Sequence, residues 1–340
     1  MDETAILLLG GAVLLIIFVL VLEVYRVRCI KREAASSLGT ASLGLASGST
    51  LCESKDCIRC SKNKEILLNA LTRLSFHASD YKFSKISTSR DLSSLKHDEI
   101  STVTFDIKAS LKKLKDQNNR TSSDEFSAKH RNTDVSHPLV FKCSGLREQK
   151  IWCLDDFPGI NLLEKNFTQI YLEFIHLYKS PLSETTQFWK TNHTSKGVWE
   201  VVMLVDQGRK TKAAELCPLT MSLIEQIPYF MRGNMFGNAS FSVVHPGTEI
   251  AAHYGSTNCR VRCHLGLKIP TEAENCSLLV EGHPLHWDEG KSIFFNDAFL
   301  HSVNHRGPLG SGDRVVLMLD LWHPDISDTQ RKVLDYAFSS

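Results

Sequence analysis

The chain has 340 residues, of which 42% are hydrophobic, so it can bury a substantial core in one large domain or two ordinary ones. Its 39 basic and 38 acidic residues nearly cancel, and the C-terminal half contains no long run of Lys or Arg. This balance argues against a nucleic-acid partner.

The first predicted element is a transmembrane helix at residues 5–25, after a short tail at residues 1–4. Ala5 to Leu22 carry no charge, and at about 1.5 Å per helical residue they span about 27 Å, close to the thickness of the hydrocarbon core. A cleaved signal peptide would have a shorter apolar stretch and a basic start, whereas Asp2 and Glu3 precede this one. The sequence therefore favours a retained anchor.

Two features predict opposite orientations for this anchor. Basic residues follow it, which would place the body of the chain in the cytosol. Asn-x-Ser/Thr triplets are glycosylated only in the secretory lumen, and five of them follow the anchor, at Asn119, Asn166, Asn192, Asn238 and Asn275. We expect Asn238 and Asn275 to lie unmodified inside the folded domain, so the triplets alone do not decide the orientation.

The segment between the anchor and the main body is predicted to be only partly ordered. Residues 26–60 are rich in Ser, Ala and Gly and indicate a tether. Its cysteines Cys52, Cys57 and Cys60 have a spacing that resembles iron–sulfur or zinc ligation, but without an evident fourth ligand a disulfide or local staple is favoured. Residues 61–137 predict a short amphipathic helix up to Phe76 and then a largely mobile segment.

The main body is predicted at residues 138–330 and is mainly β. Apolar residues at helical spacing predict one helix from Asn161 to Lys179. Beyond it, short β-branched or aromatic runs between turn residues predict a jelly roll or barrel with flanking helices. These runs are Trp199 to Val205, Phe241 to Val244, Arg260 to Ile269, Ser277 to Val280, Ser292 to Phe295 and Arg314 to Leu321.

Two histidines stand where predicted strands end. His253 follows the segment that begins at Ser242, and His301 comes 48 residues later, after an Asn-Asp turn. Such positions can converge at the open end of a jelly roll, and two neutral imidazoles suit a non-haem Fe(II) with open coordination positions. The chain has 14 histidines, and a single histidine is more often a surface or hydrogen-bonded core residue than a metal ligand.

Buried arginines are the second chemical signal. Arg260, Arg262 and His264 alternate along one predicted strand and point to one face. Burial of these groups requires an anionic ligand or acidic side chains opposite them, so salt bridges are the alternative to a binding site. Arg314 opens another strand, and its planar guanidinium suits the bidentate binding of a carboxylate.

Three long blocks occur in order in this region: HPGTEIAAHYGSTNCRVRCHLGLKIP, WDEGKSIFFNDAFLHSVNH and RVVLMLDLWHP. From about Trp152 to Pro324 the chain resembles the aspartyl/asparaginyl β-hydroxylases, most closely their membrane-anchored relatives, the aspartate β-hydroxylase domain-containing proteins. The resemblance implies a double-stranded β-helix of the cupin-like, jelly-roll kind. It also implies an Fe(II)- and 2-oxoglutarate-dependent dioxygenase that uses O2 to hydroxylate a protein side chain, such as the β-carbon of Asp or Asn.

The resemblance also implies roles for individual residues. His253 and His301 correspond to the iron ligands and catalytic histidines, whereas His245 and Arg260 are left as structural residues. The residues implied in cosubstrate binding are Arg262, Cys263 and His264 at one carboxylate of 2-oxoglutarate, Ser242 and Arg314 at the other, and Trp199 at the flank of the pocket. For Trp199 a place in the core or at its rim is the alternative.

Gly255 stands where many related oxygenases have a carboxylate ligand, so the iron is expected to have two protein ligands and a water. Asp297 could hydrogen-bond to the metal shell, although shaping its turn is the more ordinary role. The segment after His301 is long, and it makes Arg306 a competitor of Arg314. We prefer Arg314 because the strand follows it directly.

The resemblance and the glycosylation triplets together predict a single-pass membrane protein of the endoplasmic reticulum with a lumenal catalytic domain and a protein substrate. The alternative is a catalytically silent, membrane-anchored jelly-roll module that binds a metal or a protein partner. The identity of the substrate and the oligomeric state are left open by the sequence.

Overall fold

The computed structural model describes residues 62–80, 97–118, 133–179, 185–270 and 275–340. The predicted anchor at residues 5–25 and the cysteine cluster at Cys52, Cys57 and Cys60 lie outside these ranges. Within them, no helix is both long and apolar enough to cross a membrane, because the long ones carry several charged residues each. This finding contradicts the predicted localisation as a single-pass membrane protein, and that prediction is corrected accordingly.

The described residues form twelve strands in two antiparallel sheets. The large sheet has the order β1-β10-β7-β12-β5-β3-β2, with β4 paired to β3, and the small sheet has the order β6-β11-β8-β9. The strands are β1 Ile151–Trp152, β2 Trp189–His193, β3 Val198–Asp206, β4 Arg209–Lys210, β5 Ala239–Val244, β6 Thr248–His253, β7 Arg260–Lys268, β8 Cys276–Val280, β9 His283–Leu285, β10 Ser292–Phe295, β11 His301–His305 and β12 Arg314–Trp322.

The predicted mainly β architecture is confirmed, and each of the six predicted strands corresponds to one observed strand. The two sheets face each other across a shared apolar core, in which Val280 and Val303 of the small sheet meet Phe295 and Val316 of the large sheet. Strands β6 and β11 were not predicted as strands. They matter because they pair with each other at the open edge of the small sheet.

The outer face of the large sheet is covered by helices. Because side chains alternate along a strand, Val261, Cys263 and Leu265 of β7 point to the face opposite Arg260, Arg262 and His264. The outward residues join a core with the neighbouring helices. The helices are α1 Asn63–Asp80, α2 His97–Asn118, α3 Asn161–Lys165, α4 Phe167–Lys179, α5 Pro218–Glu225 and α6 Asp328–Ala337, with 3-10 turns at Leu154–Asp156, Thr186–Phe188 and Lys212–Leu216.

The helix predicted from Asn161 to Lys179 forms, but it is interrupted at Asn166. There φ is −109° and ψ is 14°, outside the helical region, and the Asn166 side-chain amide donates to the Leu162 carbonyl oxygen at 2.8 Å. The side chain thus competes with the backbone for a helical acceptor, as asparagine commonly does. The result is a short helix followed by a long one on the same face of the sheet.

A second apolar core lies between α1, α2 and α6. The helix predicted up to Phe76 corresponds to α1, whereas α2 forms within the segment that was predicted to be mobile. Val103 and Ile107 of α2 are fully buried with Leu67 of α1 and Leu334 of α6. The polar composition of α2 did not indicate a helix, and its helix is stabilised by tertiary burial. Burial of this kind is the usual source of helix stability in proteins.

Candidate active site

The two predicted iron ligands are brought together by strand pairing. His253 is the last residue of β6 and His301 the first residue of β11, and they are register partners with ring centroids 4.2 Å apart. Nδ1 of His253 lies 2.8 Å from the Ala251 carbonyl oxygen, and Nδ1 of His301 lies 2.9 Å from that of Phe299. A carbonyl oxygen only accepts, so each Nδ1 carries the proton and each Nε2 the lone pair that a metal requires.

The electrostatic surroundings keep His301 neutral. Burial lowers its pKa well below the ordinary value, and the neighbouring His253 lowers it further, against the smaller opposing effect of Asp297. A neutral imidazole is the form that binds a metal ion. Among residues 62–80, 97–118, 133–179, 185–270 and 275–340, no group of three or more His, Cys, Asp or Glu side chains could hold a metal.

Gly255 has a steric reason to lack a side chain. A Cβ atom built there would lie 2.4 Å from Cγ and from Oδ2 of Asp297, which is far inside van der Waals contact. The Gly255 amide also donates to the Asp297 carbonyl oxygen at 2.6 Å. The space that a carboxylate side chain at position 255 would occupy is therefore filled by the carboxylate of Asp297.

The Asp297 carboxylate belongs to a buried ion network that we define as Arg260, Arg262, Asp297 and Asp320. Arg260 donates to Asp297 through Nη2 at 2.6 Å and Nε at 3.2 Å, and through Nη1 to Asp320 at 3.1 Å. Burial would raise the pKa of Asp297, but the charges of Arg260 and Arg262 outweigh it and hold the pKa well below its usual range. The side chain of Arg260 is therefore engaged by two buried carboxylates.

Arg262 is held in place by acidic partners. Its Nε lies 2.9 Å from Oδ1 of Asp320 and its Nη2 lies 3.3 Å from Oδ2 of the same carboxylate, while Nη1 is 3.5 Å from Asp297. Asp320 is fixed in turn by the side-chain amide of Asn238 at 2.8 Å. The salt-bridge alternative is therefore realised for Arg260 and Arg262, and the orientation of Arg262 is set by Asp320.

Arg314 has a different environment. It is 1% exposed, its Cζ lies 4.8 Å from the ring centroid of Trp287, and its Nε and Nη1 find no acceptor in the described part of the chain. Burial lowers the pKa of Arg314 to about 10. A buried guanidinium that lacks a carboxylate is costly for the folded protein, so this environment suits an anionic ligand.

His264 adds a second unsatisfied group beside Trp287. The Trp287 indole N–H donates to Nδ1 of His264 at 3.3 Å, so Nε2 carries the proton, and no described residue accepts it. Burial lowers the pKa of His264 well below the ordinary value, and Arg314 and Arg262 lower it further. Neutral His264 and charged Arg314 therefore both have buried donors without a protein acceptor.

The strand register shows where the other predicted residues, Ser242 and Trp199, lie. Ser242 pairs with Val316, two residues from Arg314 on β12, and lies on the same inner face. Trp199 pairs with Val244, the register partner of Arg314, and is half-buried. The structure thus brings Ser242 and Trp199 to the face that carries Arg314.

Cys263 is the predicted residue that the structure does not bring to this face. It pairs with Leu319 and Phe294 and lies with them in the outer core under the helices. Strand alternation between Arg262 and His264 turns the Cys263 side chain outward. Its side chain is therefore removed from the candidate site.

Two residues of the site escaped the sequence reasoning. Trp287 lies between Arg314 and His264, just before a predicted strand, and nothing in its position marked it. Asp320 carried a signal that could have been used, because it is a lone carboxylate in the apolar run VVLMLDLW. By strand alternation Asp320 lies on the same face of β12 as Arg314, so its side chain is expected to face the arginines and not the outer core.

Comparisons with known proteins agree on one family. The sequence model described as aspartyl/asparaginyl beta-hydroxylase matches residues 164–324. Aspartate beta-hydroxylase domain-containing protein 2 of Mus musculus is 33% identical over 341 residues, which cover 97% of this chain and 90% of that protein. Aspartyl/asparaginyl beta-hydroxylase of Homo sapiens is 38% identical over 144 residues, which cover 42% of this chain and 18% of that protein.

Among solved structures, the non-heme alpha ketoglutarate dependent epimerase SnoN from nogalamycin biosynthesis aligns with 49% of this chain and 76% of its own, at 11% identity and a TM-score of 0.33. A likeness of this size carries no argument about the present chain. The sequence relatives and the environments of His253, His301, His264 and Arg314 are what bear on function.

Proposed function

The chain belongs to the aspartyl/asparaginyl β-hydroxylase family, and from this premise we propose that it is an Fe(II)- and 2-oxoglutarate-dependent dioxygenase that hydroxylates a protein side chain. The observation that carries the proposal is a set of buried donors on Arg314 and His264 that have no acceptor among the described residues, close to the paired histidines His253 and His301. An anion site and a metal site in one region are what this chemistry requires, and we propose that these residues supply them.

His253 and His301 are the proposed iron ligands. Their lone pairs lie on Nε2, their rings are register neighbours, and Asp297 occupies the space beside Gly255, so the donor set fits a ferrous ion with two protein ligands and open positions. When bound, Fe(II) supplies the activation of O2 that is coupled to oxidative decarboxylation of 2-oxoglutarate to succinate and carbon dioxide.

The protein's own contribution is binding and orientation. Arg314 and Ser242 are proposed to hold one carboxylate of 2-oxoglutarate, and the Nε2 proton of His264, with Arg262, the other. Because Asp320 fixes two nitrogens of Arg262, we propose that Arg262 acts chiefly as an oriented positive charge. Trp199 is proposed to close the flank of the pocket and to help exclude water.

The proposed substrate is a protein or peptide that presents an Asp or Asn side chain. The relative from Homo sapiens is named as an aspartyl/asparaginyl beta-hydroxylase, and the alignment covers 18% of that protein. We therefore propose the β position of Asp or Asn as the site of hydroxylation by the present chain. A partner protein is proposed as the carrier of that residue.

The iron site is tested by measuring Fe(II) binding to the full chain without oxygen. The whole chain is required, because α1 and α2 pack on α6 and a fragment beginning at Pro138 would expose that core. We expect His253→Ala and His301→Ala each to lose binding by at least tenfold. His283→Ala is the matched control, since His283 lies two strands from His301 in the same small sheet. Unchanged iron binding in His253→Ala would refute the proposal.

The cosubstrate site is tested separately from turnover. We expect 2-oxoglutarate to bind the iron-loaded wild type and to lose affinity about 100-fold or more in Arg314→Met, because a charged hydrogen-bonded pair is lost in a buried site. Succinate release with O2 then measures activity. Normal 2-oxoglutarate affinity in Arg314→Met would contradict the assignment of that residue.

The alternative is a catalytically silent jelly-roll module that binds a metal or a protein partner. It predicts iron binding through His253 and His301 without succinate release in the presence of peptides that contain Asp or Asn. The unsatisfied donors of Arg314 and His264 favour the enzyme, because a module that only binds iron has no use for a buried anion site.

A further inference from the structure

A pair of cysteines lies outside the candidate active site, where an N-terminal segment of the body runs alongside the start of β7. The Leu139 amide donates to the Gly255 carbonyl oxygen at 2.9 Å and the Phe141 amide to that of Ser256 at 3.0 Å. Phe141 and Thr257 form a parallel bridge. Two residues further along the same register, Cys143 comes opposite Cys259.

The position of Cys143 is fixed by the residue that precedes Cys259. The Cys143 amide donates to Oδ1 of Asn258 at 2.7 Å, and Nδ2 of Asn258 donates to the Cys143 carbonyl oxygen at 2.8 Å. Because residues 139–141 pair with residues 255–257, Cys143 and Cys259 occupy corresponding positions on neighbouring backbone segments. Such a placement suits the Cα separation of about 4.4–6.8 Å that a disulfide spans.

The two thiols are buried together. Both residues are 1% exposed and belong to the apolar core of α1, α2 and α6, and their side chains are hydrogen-bonded to each other. The hydrogen bond to Cys259 and then burial raise the pKa of Cys143. Because both cysteines are buried in the folded protein, an external oxidant reaches their thiols most easily while the chain is folding.

We propose that Cys143 and Cys259 are a disulfide site that closes as the chain folds in the presence of a low-molecular-weight disulfide. The thiolate of one cysteine attacks the external disulfide, forms a mixed disulfide and releases one thiol. The thiolate of the other cysteine then attacks the protein sulfur of that mixed disulfide and releases the second thiol. The two cysteines lose two protons and two electrons, and the oxidant is reduced to two thiols.

The bond would fix the segment of residues 137–143 to the start of β7. The Leu139 amide bonds to Gly255 and the His137 amide donates to the Ala298 carbonyl oxygen at 2.8 Å, so this segment adjoins the chain just after His253 and just before His301. The bond closes a loop of about 115 residues, a length for which a cross-link is strongly stabilising. The inference does not depend on catalysis and stands apart from the proposed function.

The test is disulfide mapping of the full chain, refolded in a buffer of oxidised and reduced glutathione. Free thiols are alkylated in denaturant without reduction, and the digest is analysed by mass spectrometry. We expect a cross-linked peptide pair that joins Cys143 to Cys259, two hydrogens lighter than the sum of the separate peptides. Cys153→Ser is the control, since Cys153 is exposed, and it retains the cross-link. Alkylation of both cysteines, or their pairing with other partners, would overturn the inference.

Thermal melting gives a second readout, because the comparison of oxidised with reduced wild type does not require any variant to fold. We expect the oxidised wild type and Cys153→Ser to melt about 5–10 °C above their reduced forms. Cys143→Ser and Cys259→Ser should lack that difference. Equal melting temperatures for oxidised and reduced wild type would also overturn the inference. Iron binding on the same samples separates the two proposals, because iron that binds without the cross-link leaves the proposed function intact.

Discussion

Two buried arginines on the same face of the large sheet have opposite environments. Arg260 on β7 is satisfied by Asp297, Asp320 and the Phe236 carbonyl oxygen. Arg314 on β12 is equally buried, yet its Nε and Nη1 have no acceptor among the residues that the structure describes. The sequence alone could not distinguish a salt-bridged core from a binding site, and the structure contains one buried arginine with acidic partners and one whose Nε and Nη1 lack acceptors among the described residues.

From this difference we propose that Arg260 serves the fold and that Arg314 serves a ligand. When a buried charge has a complete set of partners, removal of that charge alone strongly destabilises the folded protein, because its partners are left buried and unpaired. A buried charge without a partner costs stability as long as the site is empty and gains its partner only on binding. Removal of Arg260 should therefore lower the stability of the fold, whereas removal of Arg314 should lower activity and not stability.

The largest effect is expected for Arg260→Leu. The substitution leaves Asp297 and Asp320 buried with only Arg262 to balance two carboxylates, so the free energy of unfolding should fall by about 3–5 kcal/mol. Urea denaturation measures it. A loss below about 1 kcal/mol would mean that the network contributes no more than an exposed pair, and the contrast with Arg314 would be lost.

Arg314→Met should have the opposite sign. Burial lowers the pKa of Arg314 to about 10, so the charged form is disfavoured in the folded state, and its removal should stabilise the ligand-free protein by about 1–3 kcal/mol. The wild type should gain about 2.7 kcal/mol from 2-oxoglutarate at 100 times its dissociation constant, and the variant nothing. Destabilisation of the ligand-free variant would show that Arg314 is a structural residue like Arg260.

The sequence predicted the apolar strands and failed at the two polar ones that carry the histidines. Strands β3, β5, β7 and β12 are largely buried runs with strong β propensity. By contrast, β6 reads TEIAAH and β11 reads HSVNH, and both are too polar for a strand pattern to be detected. Their strand conformation comes from pairing with each other and with β8, which is tertiary information. The meeting of His253 and His301 therefore followed from the family resemblance and not from periodicity.

Errors in the site have the same physical origin. The family resemblance implied a cosubstrate role for Cys263, but alternation along β7 turns its side chain to the outer core. Trp287 was missed because its role depends on two other strands that bring Arg314 and His264 to it. Helix α2 was missed because its burial depends on α1 and α6, at either end of the described chain.

Asp335 is a half-buried carboxylate with one side-chain amide partner. The side-chain amide of Asn234 donates to it at 3.1 Å, but burial outweighs this contact and raises the pKa of Asp335 from 3.8 to about 6. A raised folded-state pKa means that stability present below pH 3.8 is lost as the pH rises to about 6. Asp335→Asn should therefore stabilise the protein by about 1–3 kcal/mol above pH 6 and by nothing below pH 3.8.

Urea denaturation at pH 3.5, 5 and 7.5 measures this dependence, with Asp116→Asn as the control. Asp116 is an exposed carboxylate near the C-terminal end of α2, so it tests whether loss of a negative charge at a helix end has the same effect without burial. A stability gain for Asp335→Asn that is equal at all three pH values would exclude titration of this group as its cause.

The smallest effect is expected for Arg147→Leu, which removes the same type of ion pair as Arg260→Leu but at the surface. Arg147 contacts Asp325 through Nη2 at 2.8 Å and Nε at 2.9 Å, and its side chain is 54% exposed. Because water solvates both charges and salt screens them, the loss should stay below about 1 kcal/mol and shrink further at about 0.5 M NaCl. For Arg260→Leu the loss should persist at the same salt concentration, since its partners are out of reach of the solvent. Equal salt dependence of the two variants would mean that burial does not separate them, and the assignment of Arg260 to the fold would need another basis.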